Sequence, residues 1–215
     1  MKPGKDKNPE RARGRPSDIE AGVLQRQLLD SAERLFAEHG YAATSVRRIA
    51  EDAGVNPSLV HYYYGSKREL LFAVMDRALL PMAEAIAEMR DSGNARVDRI
   101  VSLVIGMAGD HPALPTLIAR EVLLSGGETR EVFGREYAPR LGGALPGLLA
   151  REQAEGRLDP DFAPGSAALM LLSVCLFPFI ARSLSEPHMG VKYDRQGIDD
   201  YIRQVRLLLG KGMKP

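Results

Sequence analysis

Histidine and cysteine side chains are the groups in this sequence that most often carry acid–base, nucleophilic or metal chemistry. The chain has four histidines, at positions 39, 61, 111 and 188, and one cysteine, Cys175. Their spacings match no metal-binding motif, and Cys175 lies in an apolar run where a thiol is expected to be inert. We therefore predict no metal, no cofactor and no enzymatic activity.

A different chemistry is available on residues 57–64, whose sequence is PSLVHYYY. A helix advances 100° per residue, so one side can pack inward and holds Leu59, Val60, Tyr63 and Tyr64. The other side holds Pro57, Ser58, His61 and Tyr62. Exposed hydroxyl, imidazole and phenol groups suit hydrogen bonding to base edges and phosphate oxygens. A small three-helix core whose aromatic residues merely pack is the alternative that these residues leave open.

Chemical boundary signals predict the helices that would position this face. Apolar residues at helical spacing predict a first helix over residues 22–39, ended by Gly40. Thr44 or Ser45 can cap a second helix over 46–53. Asn56 followed by a proline starts a third helix at 57, and an S-x-x-E capping box at residues 66–69 starts a fourth at about 67.

Two short helices joined by a turn containing glycine form a helix-turn-helix unit. Its tight crossing needs a small residue in the first helix, a residue tolerant of positive φ in the turn and an aliphatic anchor in the second helix. Ala50, Gly54 and Val60 meet these needs at spacings of four and six. The sequence therefore predicts a helix-turn-helix at residues 46–64.

Residues 28–74 resemble the DNA-binding domain of the tetracycline-repressor (TetR) family, most clearly in the segment GYAATSVRRIAEDAGVNPSLVHYYYGSKRELL. The resemblance implies the following DNA-contacting residues: Thr44, Ser45, Arg47, Pro57, Ser58, Leu59, His61, Tyr62, Tyr63 and Lys67. Thr44 or Ser45 and Lys67 would hold phosphates, Tyr62 the DNA backbone, and Ser58 and His61 base edges. Leu59 and Tyr64 depart from the usual pattern, so Leu59 can make only an apolar contact and a buried Tyr64 hydroxyl needs a partner.

The N-terminal arm is basic although the whole chain has a net charge of only +1. In this context Arg13 and Arg15 are expected to enter an adjacent minor groove. Non-specific attraction to phosphates and a solvated tail are the alternatives.

The rest of the chain is also predicted to be helical, which gives an all-α fold of about nine helices. We expect helices at about 96–109, 113–124, 164–184 and 197–209, with one broken helix or two in 128–156 and a loop at 185–196. The expected division is a flexible arm (1–20), a DNA-binding domain (21–66), an effector-binding and dimerisation domain (67–210) and a disordered tail (211–215). Residues 162–181 carry no charge, but prolines and glycine interrupt them, so a buried or dimer-forming helix is favoured over a membrane span. The absence of a secretory signal in residues 1–20 predicts a cytoplasmic protein.

The family resemblance implies that the last two long helices form a four-helix bundle with a second copy of the chain. The apolar positions predicted for this interface are Leu169, Leu172, Leu176, Ile180, Ile202, Val205 and Leu209. A twofold homodimer would read an inverted-repeat operator in double-stranded DNA.

Methionines recur in the C-terminal half and could line a pocket for a small, apolar effector of unknown identity. The candidates are Met75, Met82, Met89, Met107 and Met170, with Arg120 as a polar anchor. Plain core packing of the methionines, and a solvated or paired Arg120, are the open alternatives. The predicted function is a ligand-responsive repressor in which the fourth helix couples pocket and DNA. A carrier with a purely structural helix-turn-helix and an effector-independent DNA-binding protein are the rival hypotheses.

Overall fold

The computed structural model describes residues 18–93 and 96–212, and its regular structure is entirely helical in these ranges. The N-terminal helices are α1 (Asp18–His39), α2 (Val46–Asp52), α3 (Pro57–Tyr64) and α4 (Lys67–Asp91). The starts expected for α2, α3 and α4 are those observed, and α1 begins earlier than the expected residue 22. The all-α prediction is confirmed.

The C-terminal half contains more helices than expected, and eleven α-helices are present within the described ranges. These are α5 (Val97–Asp110), α6 (Leu114–Ile118), α7 (Gly127–Glu136), α8 (Leu145–Ala154), α9 (Pro164–Ile180), α10 (Arg182–Met189) and α11 (Arg195–Gly212). The segment expected at 113–124 divides into α6 and a π-helical turn, Ala119–Leu124. The segment expected at 164–184 breaks at Ala181, so α10 occupies part of the expected loop. The helix expected to end at 209 continues to Gly212.

Side-chain caps fix the starts of the helices around the turn. Ser45 Oγ accepts the Arg48 N–H at 3.2 Å, and Ser66 Oγ accepts the Glu69 N–H at 3.2 Å. Asn56 Oδ1 accepts the Ser58 N–H at 2.9 Å. These bonds satisfy N–H groups that have no partner inside the helix. The local sequence is therefore sufficient to place α2, α3 and α4.

One hydrophobic core runs from the N-terminal helices into the C-terminal half. Phe36, Ile49 and Val60 are fully buried and bring α1, α2 and α3 together. Helix α4 continues this core from Leu70 to Met89 and contacts α1, α3 and α5. The long helix α4 thus belongs to both halves of the molecule.

A proline inside α9 explains how α9 is tied to α11. Pro178 has no N–H, so it cannot satisfy the carbonyl of Val174 one turn earlier. The Tyr201 hydroxyl of α11 donates to that carbonyl at 2.7 Å, and the Tyr193 hydroxyl donates to the Pro178 carbonyl at 2.6 Å. Burial raises the pKa of Tyr201 to about 12, so its hydroxyl remains a donor.

The Cys175 thiol lies on the buried face of α9, and burial raises its pKa to about 12. Because the thiolate is the reactive form, we expect an aromatic disulfide reagent at pH 8 to label the native protein at least about a hundredfold more slowly than the protein in guanidinium chloride. Thiol release followed by absorbance measures both rates. Equal rates in the two conditions would contradict the burial of this thiol.

Within the described residues, no single helix combines the length and apolar composition needed to cross a bilayer. Two consecutive pairs reach that composition together, but both are sharply bent. The bend is 93° between α5 and residues 114–124, and 77° between α9 and α10.

Candidate nucleic-acid interface

The crossing of α2 and α3 is built on the three residues that the sequence singled out. Ala50 and Val60 are fully buried at the contact between the two helices. Gly54 adopts φ +68° in the turn, a backbone angle that residues other than glycine rarely adopt. The Val55 N–H donates to the Ala50 carbonyl at 2.9 Å and closes the turn. This geometry presents the opposite side of α3 to solvent.

Three polar residues form the exposed face of α3: Ser58, His61 and Tyr62. Tyr62 has 66% of its surface exposed. Pro57, Leu59 and Tyr63 are half-buried at the margins of this face. The division into an inner and an outer side follows the 100° rotation per residue.

The hydrogen bonds of Ser58 and His61 determine what they can offer to a base. The Ser58 hydroxyl donates to Asn56 Oδ1 at 2.8 Å, which leaves its oxygen lone pairs as acceptors. His61 Nδ1 lies 2.8 Å from the Gly65 carbonyl. A carbonyl only accepts, so Nδ1 carries the proton and Nε2 of the neutral ring is an acceptor. Two acceptors suit the amino groups of adenine N6 and cytosine N4 in the major groove.

Consecutive tyrosines support this face from behind. The ring centroids of Tyr62 and Tyr63 are 5.0 Å apart, and those of Tyr63 and Tyr64 are 6.5 Å apart. The Tyr64 hydroxyl donates to the Gln25 carbonyl of α1 at 3.1 Å, which supplies the partner that this residue needed. Burial raises the pKa of Tyr64 to about 12. The three adjacent tyrosine rings therefore connect the exposed Tyr62 to α1.

Thr44 requires a correction, because its side chain is buried and not available to a phosphate. It is 1% exposed, and its hydroxyl lies 2.8 Å from the Gly40 carbonyl and 3.1 Å from that of Leu35. The sequence presents adjacent hydroxyls at 44 and 45, and it does not show which one faces the core. The exposed cap is Ser45.

The Lys67 ammonium group is bonded mainly within the protein, whereas the sequence predicted a simple contact with a DNA phosphate. Its half-buried Nζ donates to the carbonyls of Tyr41 and Thr44, both at 2.9 Å, and lies 4.3 Å from the centroid of the Tyr41 ring. Two of its three N–H bonds therefore hold the α1–α2 loop. Only the third remains for DNA.

Two arginines are exposed on α2. Arg47, which the resemblance implicated, pairs with Glu51 at 2.8 Å, and this i,i+4 pair on the surface can be exchanged for a phosphate at little cost. Arg48 was not predicted; its guanidinium lies 2.8 Å from His39 Nε2. Arg13 and Arg15 lie outside the described residues, so their minor-groove contact stays a prediction.

The C-terminal half contains an apolar cavity of about 260 Å³, partly open to solvent, between α4, α5, α6, α7 and α9. Met82 and Met107 line it. Met75 and Met89 are buried in the core outside the cavity, and Met89 lies near the C-terminal end of α4. Met170 is 52% exposed on α9. The methionine pattern thus combined cavity, core and surface positions, because a seven-residue spacing does not distinguish among them.

Arg120 does not line this cavity, which corrects its role as a ligand anchor. Its guanidinium donates to the carbonyls of Glu38 at 3.2 Å and His39 at 3.1 Å, at the C-terminus of α1. The neighbouring side chain, Glu121, accepts the Tyr41 N–H at 2.9 Å. Both residues therefore contact the DNA-binding half.

The predicted dimer residues do not share one environment. Leu169 and Ile180 are exposed on α9, at 67% and 38%. Leu172, Leu176 and Ile180 line the cavity, and Ile202 is half-buried. Val205 and Leu209 are 2% and 8% exposed, because this stripe of α11 packs within the protomer. Those two positions are corrected to core residues.

Other apolar side chains are exposed in the same region and were missed. They are Phe177 on α9, Leu184 and Met189 on α10, and Leu207 and Leu208 on α11. Phe177 follows Leu169 by eight residues, which places both on one stripe of the helix.

A buried crossing of two short helices with a polar outer face is the structure of a helix-turn-helix DNA-binding protein. Comparison with known proteins agrees. Residues 28–74 match the family model described as bacterial regulatory proteins, tetR family. The chain is 30% identical over 200 residues to the HTH-type transcriptional regulator BetI of Rhizobium meliloti, covering 90% of this chain and 94% of that protein.

Two further similarities extend over the whole fold. The HTH-type transcriptional repressor NicS of Pseudomonas putida is 25% identical over 201 residues, which cover 91% of this chain and 94% of the repressor. A TetR/AcrR-family regulator from Thermobifida fusca superposes with a TM-score of 0.59 at 23% identity, covering 89% of this chain and 98% of that structure. The chain belongs to the TetR family, and it is a helix-turn-helix transcriptional regulator.

Proposed function

We propose that this regulator is a repressor that binds an inverted-repeat operator as a homodimer and is released by a small, apolar effector. The observation that carries the effector part is the cavity, whose lining residues are all apolar. The relative NicS is named a repressor, which supports repression as the output. A reporter gene behind the operator tests that output, because binding that increases transcription would contradict repression.

The composition of the cavity wall determines the kind of effector. Leu79 and Met82 of α4, Phe133 of α7 and Leu176 of α9 face the space, and no charged side chain lines it. Burying a charged group there without a partner would cost several kcal/mol. A compact apolar molecule, or the apolar part of a larger one, is the occupant that fits.

The occupant proposed for the exposed face of α9, α10 and α11 is a second copy of this chain. Leu169, Phe177, Leu184 and Leu208 are 67%, 64%, 65% and 59% exposed. Burying such a surface in a symmetric interface removes apolar area from water on both protomers. We propose the following domain organisation. Residues 21–66 bind DNA, residues 67–210 bind the effector and the second copy of the chain, and the arm (1–20) and tail (211–215) flank these two domains.

A side chain that fills the cavity should imitate the effector. Ala138 lines the space from the segment after α7, and the chain contains no tryptophan, so Ala138→Trp places a single fluorophore there. We expect the variant to bind operator DNA at least about tenfold more weakly, which corresponds to about 1.4 kcal/mol of coupling. Fluorescence anisotropy of labelled operator measures the affinity.

The control is Ala150→Trp, at an exposed position of α8. It should bind the operator as the unmodified protein does. Blue-shifted emission from Trp at position 138 would show that the cavity is filled. Full operator affinity with such emission would contradict effector release through this cavity.

A further inference from the structure

The π-helical turn between α6 and α7 separates the cavity from the DNA-binding half. Ala119 and Leu123 of this turn line the cavity. Between them in sequence, Arg120 contacts the end of α1 and Glu121 contacts the α1–α2 loop. One short element therefore contributes both to the wall of the cavity and to a set of bonds to the end of α1 and the loop that precedes the helix-turn-helix.

The bonds from this turn reach consecutive backbone groups at the end of α1. The Arg120 guanidinium donates to the carbonyls of Glu38 and His39, groups that have no partner inside the helix. It also packs over Gly40, where a Cβ would lie 2.9 Å from the guanidinium and where φ is +86°. The Glu121 carboxylate, whose side chain is 12% exposed, accepts the Tyr41 N–H at 2.9 Å.

The same loop is held from its other side by α4. Lys67 Nζ donates to the carbonyls of Tyr41 and Thr44. Tyr41 is therefore bonded through its N–H to the π-helical turn and through its carbonyl to α4. The loop ends at Ser45, the N-cap of α2, against which α3 packs. We therefore expect a displacement of this loop to change the orientation of α2 and α3.

The π-helical turn is also fixed at its far end. The Ser125 N–H donates to the Arg120 carbonyl at 3.0 Å, an i→i+5 bond. Arg130 of α7 donates to the carbonyls of Val122 at 2.8 Å and Leu123 at 2.6 Å. Helix α7 carries Phe133 of the cavity wall. Because close-packed interiors transmit strain, we expect pressure on the cavity wall to displace Arg120 and Glu121 together.

We propose that Arg120 and Glu121 are the positioning residues that transmit occupancy of the cavity to the helix-turn-helix. The route runs from the wall through the π-helical turn to the α1–α2 loop, in addition to the route along α4 that the sequence suggested. This inference rests on the proposed release of operator by an occupant of the cavity. It assigns the transmission to two side chains that touch neither the occupant nor the DNA.

A double-mutant cycle on operator affinity tests this assignment. The cavity is filled by Ala138→Trp. The bonds from the π-helical turn to the end of α1 and the α1–α2 loop are removed by Arg120→Met or, separately, by Glu121→Gln. With Arg120 and Glu121 both present, filling the cavity should weaken operator binding at least about tenfold. In the Arg120→Met or Glu121→Gln background, filling the cavity should weaken operator binding by less than about threefold. Arg135→Met, at an exposed position of α7 paired with Glu136, is the control for losing one positive charge. It should leave the tenfold response unchanged.

The outcomes separate the inference from the function on which it rests. An equal loss on cavity filling with and without Arg120 and Glu121 would overturn the inference and leave effector release in place. No loss in any background would overturn effector release itself. Met107→Trp fills the same cavity from α5 and replaces Ala138→Trp if that variant loses its helical circular dichroism.

Discussion

Replacing His61 by alanine is expected to weaken operator binding by about 30-fold or more. Removing the Nε2 acceptor leaves a desolvated base amino group without a partner, which costs about 1–3 kcal/mol. A twofold dimer would incur this cost in both half-sites, so about 2–6 kcal/mol is at stake. His61 is exposed on α3, with Nδ1 bonded to the Gly65 carbonyl and Nε2 free to accept. The measurement is the dissociation constant for the selected operator at fixed salt.

The pattern of the loss identifies the kind of contact. His61→Ala should also relax the preference at one base pair of each half-site, whereas loss of a phosphate contact weakens binding to all sequences alike. Glu131→Ala, at an exposed position of α7 outside both α3 and the proposed dimer face, is the control and should bind normally. Unchanged affinity and unchanged base preference in His61→Ala would remove His61 from the recognition surface.

Replacing Phe177 by aspartate is expected to raise the dissociation constant of the dimer at least about a hundredfold. Phe177 is 64% exposed in the protomer, on the same stripe of α9 as Leu169. At a twofold interface the substitution buries two carboxylates without partners, and each costs several kcal/mol. Analytical ultracentrifugation measures the oligomeric state over a range of concentrations. Operator affinity should fall with it, because a monomer contacts only one half-site.

The control for this surface is Leu80→Asp, a similar change at a side chain of α4 that is 38% exposed and lies outside the proposed interface. It should leave the dimer intact. If Phe177→Asp remains a dimer at the concentrations where the unmodified protein does, the face formed by α9, α10 and α11 is not the interface.

The DNA-binding half could be predicted from sequence because its signals are local. Ser45, Asn56 and Ser66 cap their helices within three residues, and Gly54 is required by the turn itself. Such signals act between neighbours in the chain, so they do not depend on the rest of the fold. The burial of Thr44 was not predictable in this way, since it depends on the carbonyls of Leu35 in α1 and of Gly40 directly after α1.

The structure of the C-terminal half depends on contacts between distant residues, which explains the errors there. Helix α9 carries no charge, so no polar face distinguishes the buried Leu171 and Cys175 from the exposed Leu169 and Phe177. On α11 the regular apolar stripe packs on α5, whereas the neighbouring Leu207 and Leu208 are exposed. The hydrogen bonds from Arg120 to the Glu38 and His39 carbonyls join residues more than eighty positions apart. Periodicity describes one helix and contains no information about its neighbours.

Selection of DNA sites from a random pool with the purified protein tests the central claim most directly. We expect an inverted repeat whose half-site centres lie about 10 base pairs, or a multiple of that, apart, because two recognition helices of a twofold dimer enter major grooves on one face of the duplex. Binding to it should decrease steeply with salt, since phosphate contacts release counterions. Enrichment of no sequence at low salt, or of an unrepeated site bound by a monomer, would contradict a dimeric, operator-specific regulator.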